Sequence, residues 1–328
     1  MTTSRRARCL VLCSFLVGSL VALPAPAQAD GTWRAVATSV GAFNAVSCAT
    51  AAFCVATGWS TGTDYAITYN GRSWSAAQRV DQYVGEVESV SCPLVGWCAA
   101  VTDLVAVTVS QHGRWSNLAA VDQAPGPPYP GTVAAISCTS PEFCVVVDGQ
   151  GNAETFNGRT WSRAELIDPD YPINAVSCGA PGHCVAVDGD GRALVLGGEK
   201  WSAPQQVDNT ALTAISCAKV TFCEATDLFG HGLSYQDGHW SAPVRVDDLA
   251  STPVSLSCPE VGTCLGVDSQ GADVVLTSRG WGQPQVIDSQ SAPSGGLTGV
   301  SCPPGTTVFC AAVDTAGSVL TATAPFSG

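Results

Sequence analysis

Short apolar runs of four to eight residues, separated by Gly, Asn and Asp, follow one another along the chain, and nothing sustains a helical spacing of apolar positions. That is the pattern of strands joined by tight turns. The runs come in a fixed order, seen clearly in Ala175–Asp208, AVSCGAPGHCVAVDGDGRALVLGGEKWSAPQQVD. A first run ends in Cys178. A second, Cys184-Val-Ala-Val-Asp188, leads through Gly189-Asp190-Gly191 to a third, Arg192 to Leu196. A fourth opens at Trp201 and ends at Val207-Asp208.

This four-strand unit recurs seven times. Its most rigid part is Ser-Cys, five residues, Cys. It pairs Cys48 with Cys54, Cys92 with Cys98, Cys138 with Cys144, Cys178 with Cys184, Cys217 with Cys223 and Cys258 with Cys264; the seventh pair, Cys302 with Cys310, holds two extra residues. Successive first cysteines lie 44, 46, 40, 39, 41 and 44 residues apart. Four short strands at such a period predict an all-β fold, a seven-bladed β-propeller of four-stranded blades. Pro204, Pro243 and Pro284 fall in the fourth strand, which places that strand at the blade edge, where a missing N–H costs no ladder bond. The second strand is almost wholly apolar (Val145, Val146, Val147), as expected of a strand covered on both faces.

The ends of the chain are out of phase with the repeat. Seven tryptophans open a fourth strand (Trp33, Trp74, Trp115, Trp161, Trp201, Trp240, Trp281), but none follows the seventh unit, which stops after its third strand near Thr323. Asp30-Gly-Thr-Trp33 matches Asp237-Gly-His-Trp240. The N-terminal segment is therefore expected to supply the missing outer strand of the last blade, closing the ring and removing an open edge. One tryptophan per blade at one strand position reads as a packing element.

Residues 1–29 read as a secretory signal: Arg5, Arg6 and Arg8, an apolar run from Cys9 to Leu23, and Ala27-Gln-Ala29 as a cleavage site, leaving 30–328 as a single propeller domain. The run is short for a membrane span. Two of the 16 cysteines fall in the signal; the other 14 form the seven regularly spaced pairs, which in an exported chain implies seven hairpin disulfides. The whole chain carries a formal charge of −13, and removal of the signal makes it more negative. Nucleic acid and anionic membranes are poor partners for such a surface, which leaves cations, sugars, peptides and basic proteins. A monomer is expected.

Two columns of aspartate mark one face. Asp81, Asp122, Asp168, Asp208, Asp247 and Asp288 end fourth strands; Asp148, Asp188, Asp227, Asp268 and Asp314 end second strands, with Asp103 one residue displaced. Recurrence in every blade points to turn-fixing and blade-joining roles. No cofactor is expected; calcium is the metal such carboxylates would take. Departures from the repeat say more about function. The first unit has Gly58 in place of the second-strand Asp, with a longer loop through Trp59, Asp64 and Tyr65, and the loops after the first three units carry Tyr83, Tyr129 and Tyr171. Aromatic rings beside carboxylates suit stacking and orientation of a sugar or peptide. The candidate ligand-binding set is Trp59, Asp64, Tyr65, Tyr83, Asp103, Tyr129 and Tyr171. Gly58-Trp-Ser-Thr-Gly62 matches a nucleophile elbow but falls between strands, where that motif does not work. His112, His183, His231 and His239 have no triad or metal spacing and read as surface turn residues.

The Ser-Cys-x5-Cys element, the Asp-x-x-Gly turn and the Gly-x-Trp turn give units that resemble those of secreted bacterial β-propellers in the broad WD-repeat, YVTN and Asp-box-like group. The resemblance covers residues 30–328 and implies blade architecture. The function expected is an extracellular binding or scaffold protein, recognising a glycan, a cell-envelope component or a protein on the aspartate-bearing face. The alternative is a polysaccharide hydrolase or lyase using carboxylates there.

Overall fold

The computed structural model describes residues 33–38, 41–80, 86–103, 106–111, 113–116, 119–121, 135–246, 252–288 and 296–326. The signal-like segment 1–29 lies outside them. Seven antiparallel sheets are present, one per repeat, and no helix occurs among the described residues. In blade 4, Ile173–Ala180 pairs with His183–Asp188, which pairs with Arg192–Gly197. The fourth strand is broken in two: Lys200–Trp201 and Gln205–Gln206 both pair with the third strand. Pro204 sits in the break, and Pro243 and Pro284 occupy the same break in blades 5 and 6.

The ring closes as the phase of the tryptophans implies. Trp33–Ala37 pairs antiparallel with Ser318–Thr323 in register Trp33↔Ala322 through Ala37↔Ser318, as the outer strand of blade 7. All seven expected disulfides are formed, each stapling the first two strands of a blade. Cys48 is bonded to Cys54, Cys92 to Cys98, Cys138 to Cys144 and Cys178 to Cys184. Cys217 is bonded to Cys223, Cys258 to Cys264 and Cys302 to Cys310. Each closes a short loop, which the chain-entropy argument values at roughly 2 kcal/mol. Seven such bonds belong to an oxidising environment.

The serine of each Ser-Cys pair explains why that dipeptide recurs. Cys92 N–H donates to Ser47 Oγ of the preceding blade at 2.9 Å, and the same bond joins Cys138 to Ser91, Cys178 to Ser137, Cys217 to Ser177, Cys258 to Ser216 and Cys302 to Ser257. Cys48 N–H donates to Ser301 Oγ at 2.9 Å and completes the circle. Inner strands of neighbouring blades share no backbone ladder, and a side chain bridges them instead. Each bridge is worth about 1 kcal/mol net.

The core is a set of interblade layers. Val145, Val147, Ala186 and Leu194 share one layer between blades 3 and 4, and Val185, Leu212, Ala225 and Leu233 share the next. The tryptophans are half-buried wedges, each against the blade before its own: Trp161 on Ala99 and Val101, Trp201 on the layer with Val145, Trp240 on the layer with Val185. Two also bond a carboxylate across the boundary. Trp33 Nε1 donates to Asp273 Oδ2 at 2.8 Å, and Trp281 hydrogen-bonds Glu224. Burial pushes the Glu224 carboxyl up to about 7 and that of Asp273 to about 6, against these donors.

Alternate turns define two faces. The upper face carries the turns between second and third strands and the loops that join blades. The lower face carries the disulfide-stapled turns between first and second strands and the turns that lead into the tryptophans. These two kinds of turn touch: Gly198 N–H donates to Gly182 O, Asp237 N–H to Thr221 O and Ala324 N–H to Val308 O, at 2.8, 3.1 and 2.9 Å.

Candidate functional site

On the upper face most of the described aspartates are occupied by the fold. Asp148, Asp188, Asp227, Asp268 and Asp314 each accept through Oδ1 the N–H groups two and four residues on. The glycine in these turns is obligatory. Gly191 has φ +81°, its carbonyl accepts from Val207 and Asp208, and a Cβ there would collide with Asp208 O. Asp168 ties blade 3 to blade 4. Arg192 spans the boundary, its Nη2 bonding both oxygens of Asp168 at 2.7 and 2.8 Å and its Nε bonding Asp188 Oδ2 at 2.6 Å. His231 takes the corresponding place in blade 5, with Nδ1 2.7 Å from Asp227 Oδ2. Both residues belong to blade 5, so this bond braces the turn that His231 closes.

The aromatic candidates divide. Tyr171 is 40% exposed, but the Arg192 guanidinium stands over its ring at 4.5 Å, so one stacking face is taken by the protein. Tyr65 is half-buried against the layer that includes Phe43 and Ile67. Tyr83 and Tyr129 lie outside the described residues. Trp59 is 37% exposed. The expected long loop around it is a hairpin extension: Trp59↔Asp64 and Ser60↔Thr63 continue the ladder to a two-residue turn, Thr61-Gly62, with positive φ at both positions. Gly58 permits this, since a Cβ there would overlap Ala42 O and crowd Phe43 Cα. Ser60 therefore sits in a β-hairpin, the wrong setting for a nucleophile elbow. Asp64 is only 5% exposed.

Where the first strands converge they line an axial cavity of about 330 Å³. Its wall has a repeated position, filled by Asn44, Glu88, Asn174, Thr213, Val254 and Thr298 in the described blades. Three of these donate to the next blade: Asn44 to Val87 O, Asn174 to Leu212 O and Thr298 to Phe43 O, at 3.0, 2.8 and 2.8 Å. Glu88 is the one charged residue among the described lining residues. Burial, then the charges of Asp103, Glu86 and Asp64, push its carboxyl up to about 7. Asp103 N–H donates to Glu86 O at 2.9 Å, and its Oδ1 is buried with no hydrogen-bond partner. The structure thus brings Asp64 and Asp103 together electrostatically, around a glutamate that was not singled out from the sequence. Aligning the seven units at the residue three before the serine of each Ser-Cys pair shows it as the lone acid of its column. Among the described residues, no group of three or more His, Cys, Asp or Glu side chains is arranged to hold a metal ion.

Such an arrangement can hold a cation. A carboxyl raised to about 7 by burial and by neighbouring acids ionises fully when an ammonium or guanidinium group approaches, and the surrounding acids then add to the attraction. No protein-family model and no curated protein sequence matches the chain. Solved structures do. The structure described as YCF48 bound to D1 peptide superposes with a TM-score of 0.64 at 13% identity, covering 89% of this chain and 96% of that one. The WD40 β-propeller domain of Doa1 superposes at 0.69 with 9% identity, covering 88% and 95%. At these identities the likeness is one of fold alone, that of a β-propeller.

Proposed function

We propose that the protein is an exported binding propeller whose upper channel mouth receives a basic segment of a partner protein, a Lys or Arg side chain or an amino terminus seated against Glu88. The observation that carries this is a single carboxylate on a cavity wall, surrounded by Asp103, Glu86 and Asp64 and raised to about 7. Propellers commonly serve as protein-binding scaffolds, and one structure of this fold is described with a peptide bound. The disulfides and the signal-like residues 1–29 support action outside the cell. The glycan reading keeps Trp59 but not an open Tyr171 ring. A hydrolase would need two accessible carboxylates across a cleft, and Asp64 is buried.

A random peptide library displayed against the oxidised protein tests this, with a glycan array in parallel. Enrichment of Lys- or Arg-bearing peptides that Glu88→Gln abolishes is the expected result. Selected peptides without basic residues, or selection indifferent to Glu88→Gln, would refute it; glycan retention lost in Trp59→Ala would restore the sugar reading.

A further inference from the structure

The net negative charge of the chain is unevenly placed. Eight of the eleven Lys and Arg that follow residue 30 lie on or beside the lower face, with Arg34, Arg72, Arg114, Arg159, Lys200 and Arg279 exposed at or next to the turns that lead into or out of the tryptophans. The exposed acids described there are Glu142, Glu199, Asp237 and Glu260. Inside this basic rim, the disulfide-stapled turns form an inner ring, and several of its tips carry exposed apolar side chains. Leu94 and Val95 are 43% and 57% exposed, Val261 49% and Val308 58%. The contrast is sharpest across blades 7, 1 and 2. Among the described residues, their lower face holds Arg34, Arg72 and Arg114, the tips Leu94-Val95 and Val308, and no acid.

We infer that this lower face, led by blades 7, 1 and 2, docks on an anionic lipid surface. Charge complementarity selects the partner, and the form of the apolar groups selects a bilayer over a protein. Separate side chains at the tips of hairpins, all facing one way, suit shallow insertion among lipid headgroups. A protein interface would present a contiguous packed patch. Arginines set outward from the tips would meet the phosphates as the tips enter. The acidic upper face does not oppose this. Strands of about six residues separate the two faces by roughly 20 Å, more than twice the Debye length of about 8 Å at physiological salt. The overall charge, which alone argues against an anionic membrane, is thus the wrong quantity to consult. Docking this way leaves the channel mouth with Glu88 facing away from the bilayer, but does not depend on what binds there.

Flotation of the oxidised protein with vesicles of phosphatidylglycerol and phosphatidylcholine, beside pure phosphatidylcholine vesicles, tests the inference. Binding to the anionic vesicles alone, weakened by salt, is expected. Arg72→Glu with Arg114→Glu should weaken it at least about tenfold; Leu94→Ser with Val95→Ser should also weaken it, while Glu88→Gln leaves it unchanged. Each variant is taken forward only with wild-type thermal unfolding, and Arg72→Gln with Arg114→Gln stands in should the charge reversal disturb folding. Absence of binding to anionic vesicles overturns the inference, as does binding indifferent to these substitutions. Retention by soluble polyglutamate without vesicle binding overturns it in favour of an acidic protein.

Discussion

Two sectors of the upper face use the same residue type to opposite ends. Around blades 3 to 5, aspartates stand close together in buried positions, and the fold gives most of them a side-chain partner: Arg192 bonds Asp168 and Asp188, and His231 bonds Asp227, while Asp208 Oδ2 has none. Around blades 1 and 2, Glu88, Glu86, Asp103 and Asp64 act on one another, and the Glu88 carboxyl rises to about 7. The first sector fixes turns and joins blades, as the repeat does elsewhere. The second departs from it: Glu88 stands where Asn or Thr in other blades donates to a backbone carbonyl. Negative charge on this face therefore has two meanings, and the proposed function uses the carboxylate that stands on the channel wall, Glu88.

The largest effect should come from breaking the sector that Arg192 holds together. Asp168 is fully buried and Arg192 is partly buried. Arg192→Ala leaves two carboxylates without their cation, and loss of one partner from a buried pair costs about 3–5 kcal/mol. Denaturant unfolding at pH 7 should show that loss, and should show Tyr171 fluorescence or exchange released with it. A loss below about 1 kcal/mol would mean that the acids there are as solvated as those around Glu88.

Glu88→Gln should act in the opposite direction. A carboxyl raised to about 7 in the folded state, against 4.5 when unconstrained, lends stability in full below about pH 4.5, and that stability is lost as pH rises through 7. The buried Glu224 carboxyl, at about 7, and Asp273, at about 6, have the same sign. Wild-type stability should therefore fall from pH 5 to pH 8. Glu88→Gln should flatten part of that fall and stabilise the protein at pH 8 by about 1–2 kcal/mol, after discounting for the partial exposure of the channel wall. A pH profile unchanged by Glu88→Gln would show that the neighbouring acids do not reach it.

Much of this molecule was legible in its sequence because the same local demand is met seven times. The cysteine spacing marks each hairpin, the prolines mark the outer strand, and the missing eighth tryptophan shows where Trp33 must go. What stayed hidden was what folding collects from distant residues. Tyr171 lies in the loop between blades 3 and 4 and Arg192 opens the third strand of blade 4, and they meet only when the chain folds. Arg72, Arg114 and Arg159 lie some forty residues apart, one per unit, and become a single rim only when the units turn about an axis. The serine ring was visible as a recurrent dipeptide, but its reason required knowing that inner strands do not pair across blades. Glu88 was hidden for a simpler cause: it is an exception inside a strand, where neither recurrence nor loop length marks a residue.

The smallest expected effect sharpens the same comparison. Trp59 and Tyr171 are similarly exposed aromatic rings, at 37% and 40%, but one carries an arginine and the other does not. Tyr171→Ala removes a cation–π contact worth about 0.5–1 kcal/mol and should lower stability by about that much. Trp59→Ala, at the end of a hairpin that its backbone holds through Asp64, should change stability by less than about 0.5 kcal/mol. If the upper channel mouth is the working surface, the order reverses for binding: Trp59→Ala weakens capture of basic peptides, and Tyr171→Ala leaves it intact. Equal effects of the two substitutions on peptide capture would erase the distinction between the sector around Arg192 and the sector around Glu88, because a ring already stacked by the protein's own arginine would then be serving the ligand as well as one that is not.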